Sequence, residues 1–149
     1  MTIGVICNNE VITVKRDTSV LHAAMLMRQH HVGDVVVIEI HKDKVVPIGI
    51  VTDRDIVIEL VATELDCNVI TVGDIMGTNL TVIKASEGIF EAIRTMTSKG
   101  VRRLPIVDYD GELVGIVTLD DLLLLLSKEL GALTKLVSRE QKNEASRRR

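Results

Sequence analysis

Two stretches of this chain carry residue types spaced for chemistry. Gly49-Ile50-Val51-Thr52-Asp53-Arg54-Asp55-Ile56 returns later as Gly115-Ile116-Val117-Thr118-Leu119-Asp120-Asp121-Leu122. In each, a short apolar run ends in Thr, and a carboxylate follows three residues on: Thr52 with Asp55, Thr118 with Asp121. A hydroxyl and a carboxylate at that spacing can cap the first N–H groups of a helix. At a strand-to-helix turn they can also hold a polar ligand against exposed backbone donors. Arg102-Arg103, just ahead of an apolar run, are cations that can meet an anionic ligand. Taken singly, Asp55 and Asp121 read equally well as helix-start residues favoured by the macrodipole, and the arginines as a solvated pair. The recurrence of the whole pattern favours the functional reading.

Other reactive side chains give less. His30-His31 has no third ligand at suitable spacing and reads as an exposed helix end, so no metal site is expected. Cys7 and Cys67 form no metal pattern and read as free thiols of a reducing compartment. Met25, Met27 and Met96 read as core filler. No nucleophile–base pair accompanies the carboxylates, so the chain is not expected to be an enzyme.

The elements that position the repeated stretch are themselves repeated. A shift of 69 places Thr2-Ile3-Gly4-Val5-Ile6 on Thr71-Val72-Gly73-Asp74-Ile75, Ala23 on Ala92 and Met27 on Met96. Past the third strand the shift falls to 66 and Gly49 meets Gly115; the difference is expected in the hairpin loops, with residues 41–46 longer than 109–112. Each half predicts a strand (11–14; 80–83), a cap (Asp17; Ser86) and an amphipathic helix. Two strands follow (35–40 and 45–51; 104–107 and 113–117), then a second helix starting at Thr-x-x-Asp. Asp110-Gly111 is a hairpin signal. The fold class is therefore α/β (α+β), two β-α-β-β-α repeats packed sheet to sheet with pseudo-two-fold symmetry. Each is too small to be stable alone. The expected domains are residues 2–66, 67–127 and a basic tail, 128–149, helical at first and disordered beyond Ser138.

Composition agrees. The chain is 46% hydrophobic but 1% aromatic, which suits β-branched strands under helices and gives no platform for stacking single-stranded nucleic acid. With a net charge of -3 it is no general polyanion binder, although the end is basic and closes in Arg147-Arg148-Arg149. No charged-then-apolar leader and no bilayer-length apolar run is present, so the expected location is cytoplasmic with no membrane partner.

Gly-Ile-Val-Thr-Asp-Arg-Asp in one half, and Val-Arg-Arg-Leu-Pro-Ile-Val-Asp before Gly-Ile-Val-Thr-Leu-Asp-Asp in the other, closely resemble a tandem pair of CBS domains. Such a pair is a Bateman module, the regulatory unit of IMP dehydrogenases, chloride channels and the gamma subunit of AMP-activated kinase. The resemblance runs from Thr2 to about Ser127. It implies two clefts for an adenosine derivative, AMP, ADP, ATP or S-adenosylmethionine, in a flat homodimer that signals to a protein partner. The main cleft would hold Thr118 and Asp121 for ribose, Arg103 with Arg102 for phosphate, and Thr18 and Ala23 from the first repeat. The second would hold Thr52, Asp55 and Ala92. There Asp34 stands in place of Arg103, Gly33 in place of Arg102 and Glu87 in place of Thr18, so two carboxylates would repel a phosphate. The expectation is asymmetric occupancy. The competing expectation is a nucleic-acid-associated protein that binds through its basic tail, with the pair of repeats only dimerising.

Overall fold

The computed structural model describes residues 1–148. It forms two compact units, Met1–Val117 and a second that starts at Thr118. In chain order the elements are α1 (Ile3–Ile6), β1 (Thr13–Lys15), α2 (Val20–His30), β2 (Asp34–His41), β3 (Lys44–Thr52), α3 (Asp53–Ile56) with a π-helical turn (Val57–Val61), α4 (Val72–Ile75), β4 (Ile83–Lys84), α5 (Ile89–Lys99), β5 (Arg103–Val107), β6 (Leu113–Thr118) and α6 (Leu119–Arg147).

The strands make two three-stranded sheets in the orders β1-β2-β3 and β4-β5-β6. β1 lies parallel to β2, β2 antiparallel to β3, and β4 parallel to β5. Val35, Val36 and Val37 are all fully buried, as a strand covered on both faces requires. α2 closes one side with Val20, Ala23 and Met27, spaced three and four apart, and α5 repeats this with Ala92 and Met96. The fold is the duplicated mixed α/β arrangement expected.

Several local boundaries differ from expectation. Asp17 and Ser86 do not cap; the N-caps are Ser19, whose Oγ accepts from His22 N at 3.1 Å, and Gly88. A tight turn comes first, closed by Thr18 N to Lys15 O (3.0 Å) and Glu87 N to Lys84 O (3.0 Å), and it delays each helix by two residues. The three extra residues of the first half do not lengthen its hairpin loop. Lys42 and Asp43 make a two-residue turn with φ of 49° and 65°, while β2 and β3 extend and absorb a register shift between Val37 and Ile38.

The short helices explain why the repeats do not separate. α1 belongs to the first repeat but docks on the second, through Ile3 N to Glu87 O (2.7 Å) and Gly4 N to Ala85 O (3.0 Å). α4 docks on the first through Val72 N to Thr18 O (2.8 Å) and Gly73 N to Arg16 O (3.0 Å). The shift of 69 turns one set of bonds into the other. This exchange brings Met76 onto Gly49 and Cys7 onto Gly115: a methyl group there would lie 2.5 Å from Met76 Sδ, or 2.6 Å from Cys7 Sγ and 3.0 Å from the Asn8 carbonyl.

The second unit is α6. It does not become disordered beyond Ser138 but stays helical to Arg147. The polar stretch 139–147 is built mainly from good helix formers, and an Arg148–Glu144 ion pair of 2.6 Å closes its end. Polarity there marks a solvated helix.

Two stability changes follow. Gly115→Ala lowers the urea midpoint by the equivalent of about 1–3 kcal/mol, because a carbonyl cannot yield to the added methyl group; Gly49→Ala, facing the Met76 side chain and no carbonyl, costs less. Unequal midpoints are the expected reading. His31 ends α2 at φ 55°, where Gly100 ends α5 at φ 65°. His31→Gly therefore raises stability by about 0.5–1 kcal/mol in the same titration, by removing the strain of a left-handed side chain.

Candidate functional site

The repeated Thr-x-x-Asp element closes as a reciprocal cap. Thr52 Oγ1 accepts from Asp55 N at 3.1 Å while Asp55 Oδ2 accepts from Thr52 N at 2.9 Å. Thr118 and Asp121 repeat the geometry at 3.1 and 2.9 Å. Each such cap contributes about 1 kcal/mol to its helix start. Capping and ligand binding are compatible, since Oδ1 of Asp55 and of Asp121 makes no hydrogen bond among the described residues. A third cap escaped the sequence reading: Thr71 and Asp74 at the start of α4. The same spacing signals it, without the preceding apolar strand. The N–H of Thr71 holds the Asp74 carboxyl below its ordinary 3.8.

The central finding concerns Arg103 and Asp34, which the sequence reading put in opposite clefts. Arg103 Nε lies 2.7 Å from Asp34 Oδ2, with the two side chains 29% and 16% exposed. Asp34 is thus a charge-neutralised partner of Arg103, not a bare carboxylate that repels phosphate. Exposed pairs contribute little, but at this degree of burial removing one partner is costly to the other. The guanidinium also stands at the turn of the first motif copy. The absent Cβ of Gly33 would lie 3.3 Å from Arg103 Nη2 and 3.2 Å from Asp53 Oδ2, and Asp53 N donates to Gly33 O at 2.9 Å. Gly33, Asp34, Thr52, Asp53 and Arg103 therefore form one polar cluster, with Asp55 at the Thr52 cap. Gly33 and Asp53 were not among the expected site residues.

The remaining candidates are placed otherwise. Arg102 is exposed. Ala23 and Ala92 have no accessible surface; their methyl groups belong to the buried core. Their small size reflects close helix packing. Thr18 and Glu87 occupy equivalent turns, where Thr18 Oγ1 accepts from Lys15 N (3.2 Å) and Glu87 Oε1 from Lys84 N (3.4 Å). Among the described residues, neither joins the Arg103 cluster through a hydrogen bond or ion pair.

Two grooves in the first unit are related by the duplication. One, of about 490 Å³, runs along Pro47, Ile48, Met76, Leu80 and Val82. Its counterpart along Val11, Thr13, Leu113 and Val114 has about 220 Å³. Only the first reaches the 300–1,000 Å³ usual for small-molecule sites, and it flanks β3, the strand that ends in Thr52. Near the smaller groove, burial pushes the Cys7 thiol above its ordinary 9.0; Sγ lies 3.3 Å from Gly4 O. Among the described residues no cluster of three or more His, Cys, Asp or Glu could hold a metal, and no helix is long and apolar enough to cross a membrane.

The CBS domain family model matches residues 3–62 and again 72–128. A Methanopyrus kandleri protein, MK0525, is 37% identical over 123 residues, covering 83% of this chain; the matched part is 61% of that relative's length. CBS domain-containing protein YhcV of Bacillus subtilis is 38% identical over 113 residues, 76% of either chain. Among solved structures, Hypoxic Response Protein I with two coordinated zinc ions superposes with a TM-score of 0.71 at 34% identity, over 81% of this chain and 95% of that one. CBSX2 in complex with AMP gives 0.70 at 27% identity, over 85% and 96%.

The Asp74 cap makes a pH prediction. Its carboxyl is lowered in the folded state, so its contribution is complete above pH 3.8 and lost as pH falls through the folded value. Asp74→Ala should therefore lower the thermal midpoint at neutral pH, and its difference from the parent should shrink in acid below that value.

Proposed function

This chain belongs to the CBS domain family, and on that premise we propose that it is a regulatory adenine-nucleotide-binding protein, with the Thr52–Asp55 turn and Arg103 as its site. The observation that carries the reading is the placement of the Arg103 guanidinium at that turn, paired to Asp34 and beside Asp53. The free Oδ1 of Asp55 suits ribose hydroxyls. The apolar groove along Ile48, Met76 and Leu80 suits an adenine, and Arg103 suits a phosphate. Thr118 and Asp121 keep, on the family resemblance, the corresponding ribose role of a second site. AMP bound to CBSX2 supports the choice of ligand class; ADP, ATP and S-adenosylmethionine share its adenosine.

A ligand reaching both the first motif copy and Arg103 of the second repeat ties the repeats together. It thereby favours one arrangement of the pair by its differential affinity, the signal a protein partner could read. The chain performs no reaction on the nucleotide in this reading. The tail-bound nucleic-acid alternative gains little, because α6 carries five basic against five acidic side chains.

Asp34 and a phosphate compete for the same guanidinium. In calorimetric titration, Arg103→Ala should weaken AMP about tenfold or more, as loss of a charge-assisted hydrogen bond does, and adenosine far less. Asp34→Asn should tighten AMP several-fold and leave adenosine nearly unchanged. Equal losses for AMP and adenosine in Arg103→Ala would sink the phosphate assignment. Weaker AMP binding in Asp34→Asn would mean that Asp34 orients Arg103 rather than competing for it.

A further inference from the structure

We propose that the first repeat carries a further ligand site, for a basic α-amino acid, where α4 meets the end of β1. A cavity of about 590 Å³ lies there, bounded by the β1–α2 turn, the second half of β2 and the start of α4. It is larger than the groove offered to adenine and falls in the range of small-molecule sites. Arg16 is the one residue that lines both.

The duplication supplies an internal control, because the second repeat builds the same turn and helix start without these charges. Under the shift of 69, Arg16 becomes Ala85, Asp17 becomes Ser86 and Asp74 becomes Val5. Lys15, paired with Ile38, is kept as Lys84, paired with Val107. There the ammonium is covered: Lys84 Nζ lies 5.5 Å from the centre of the Tyr109 ring, where the first repeat has Ile40. The charges of the cavity therefore exceed what the shared fold requires.

The groups left without partners select the occupant. Glu39 is engaged, by Arg16 at 3.6 Å and by His41 Nε2 at 2.8 Å, and it occupies Arg16 in turn. Among the described residues the Lys15 ammonium and the Asp17 carboxylate have no ion pair, and Asp74 spends only Oδ2 on its cap. Ile38, half-buried, and Ile40, 57% exposed, add an aliphatic surface. One free ammonium, two free carboxylates and that surface complement a molecule with one carboxylate, two cationic ends and a methylene stem. A basic α-amino acid has that set: its carboxylate meets Lys15, its two cations meet Asp17 and Asp74, and its stem covers the isoleucines. A nucleotide is repelled by the carboxylates, and a polyamine by Lys15. A divalent cation finds no suitable cluster of ligands among the described residues.

Calorimetric titration of the full chain with L-lysine tests the site, and one saturable event per chain is expected. Lys15→Gln and Asp17→Asn should each weaken it about tenfold or more, as loss of a charge-assisted hydrogen bond does. Their unfolding midpoints should stay near the parent's, since neither side chain's charge is paired within the fold. Lys84→Gln, at the equivalent position of the second repeat, should leave L-lysine binding unchanged. Putrescine, a diamine without the carboxylate, should bind the parent far more weakly than L-lysine. The absence of saturable heat up to about 10 mM L-lysine overturns the proposal. So does L-lysine binding that Lys15→Gln and Asp17→Asn leave intact, or that Lys84→Gln weakens as much as Lys15→Gln. Putrescine binding as tight as that of L-lysine overturns the assignment to an amino acid.

Discussion

Each half of Met1–Val117 begins with a single helical turn that the other half holds. The N–H groups of Ile3 and Gly4 are satisfied by Glu87 and Ala85, and those of Val72 and Gly73 by Thr18 and Arg16. A repeat of about 60 residues buries too little surface to stand alone. Crossing the leading segments makes the two sheets interdependent and leaves the helix-start donors paired without water. The crossing also sets the most demanding contacts in the unit, since Met76 and Cys7 arrive directly over the glycines of the repeated motif. Close approach of the partner repeat accounts for those glycines.

The same symmetry brings equivalent positions face to face. Asp34 corresponds to Arg103 under the shift of 69, and they form an ion pair of 2.7 Å. Lys44 corresponds to Asp110 under the shift of 66, and they form another of 2.6 Å at the hairpin tips. The bond to Asp110 lifts the Lys44 ammonium above its ordinary 10.5. An unmodified duplication would set aspartate against aspartate and lysine against lysine, with repulsion at both contacts. Opposite charge at paired positions removes that conflict and makes the two halves unequal. The inequality extends to space, with grooves of about 490 and 220 Å³ where strict symmetry would give equal ones.

Reading the chain as a duplication was possible because local signals were doubled: apolar spacing, the Thr-x-x-Asp cap and the turn residues all recur in register. The site was legible only in part. Thr52, Asp55 and Arg103 were recognisable by type and spacing, but Arg103 and Asp34 were assigned to different clefts. Alignment says only that two positions correspond, and correspondence does not reveal that a symmetry axis lies between them. Ala23 and Ala92, fully buried in the structure, show a related ambiguity. A small side chain at the middle of an amphipathic helix serves close packing as readily as an open pocket, and burial alone separates the two.

The polar end of α6 shows the opposite error, in which composition suggested disorder and local helix propensity with an i,i+4 ion pair gives a continuous helix. What the sequence by itself determined was local and periodic: the strand and helix pattern, its repetition, the caps and the family. These depend on neighbours within a few residues, so they are written in spacing. Tertiary structure decided which half each leading segment joins, what sits over Gly49 and Gly115, and that Arg103 meets Asp34 beside the first motif. Such contacts link residues some 70 positions apart across a pseudo-two-fold axis, and only the folded backbone brings those positions within hydrogen-bonding distance.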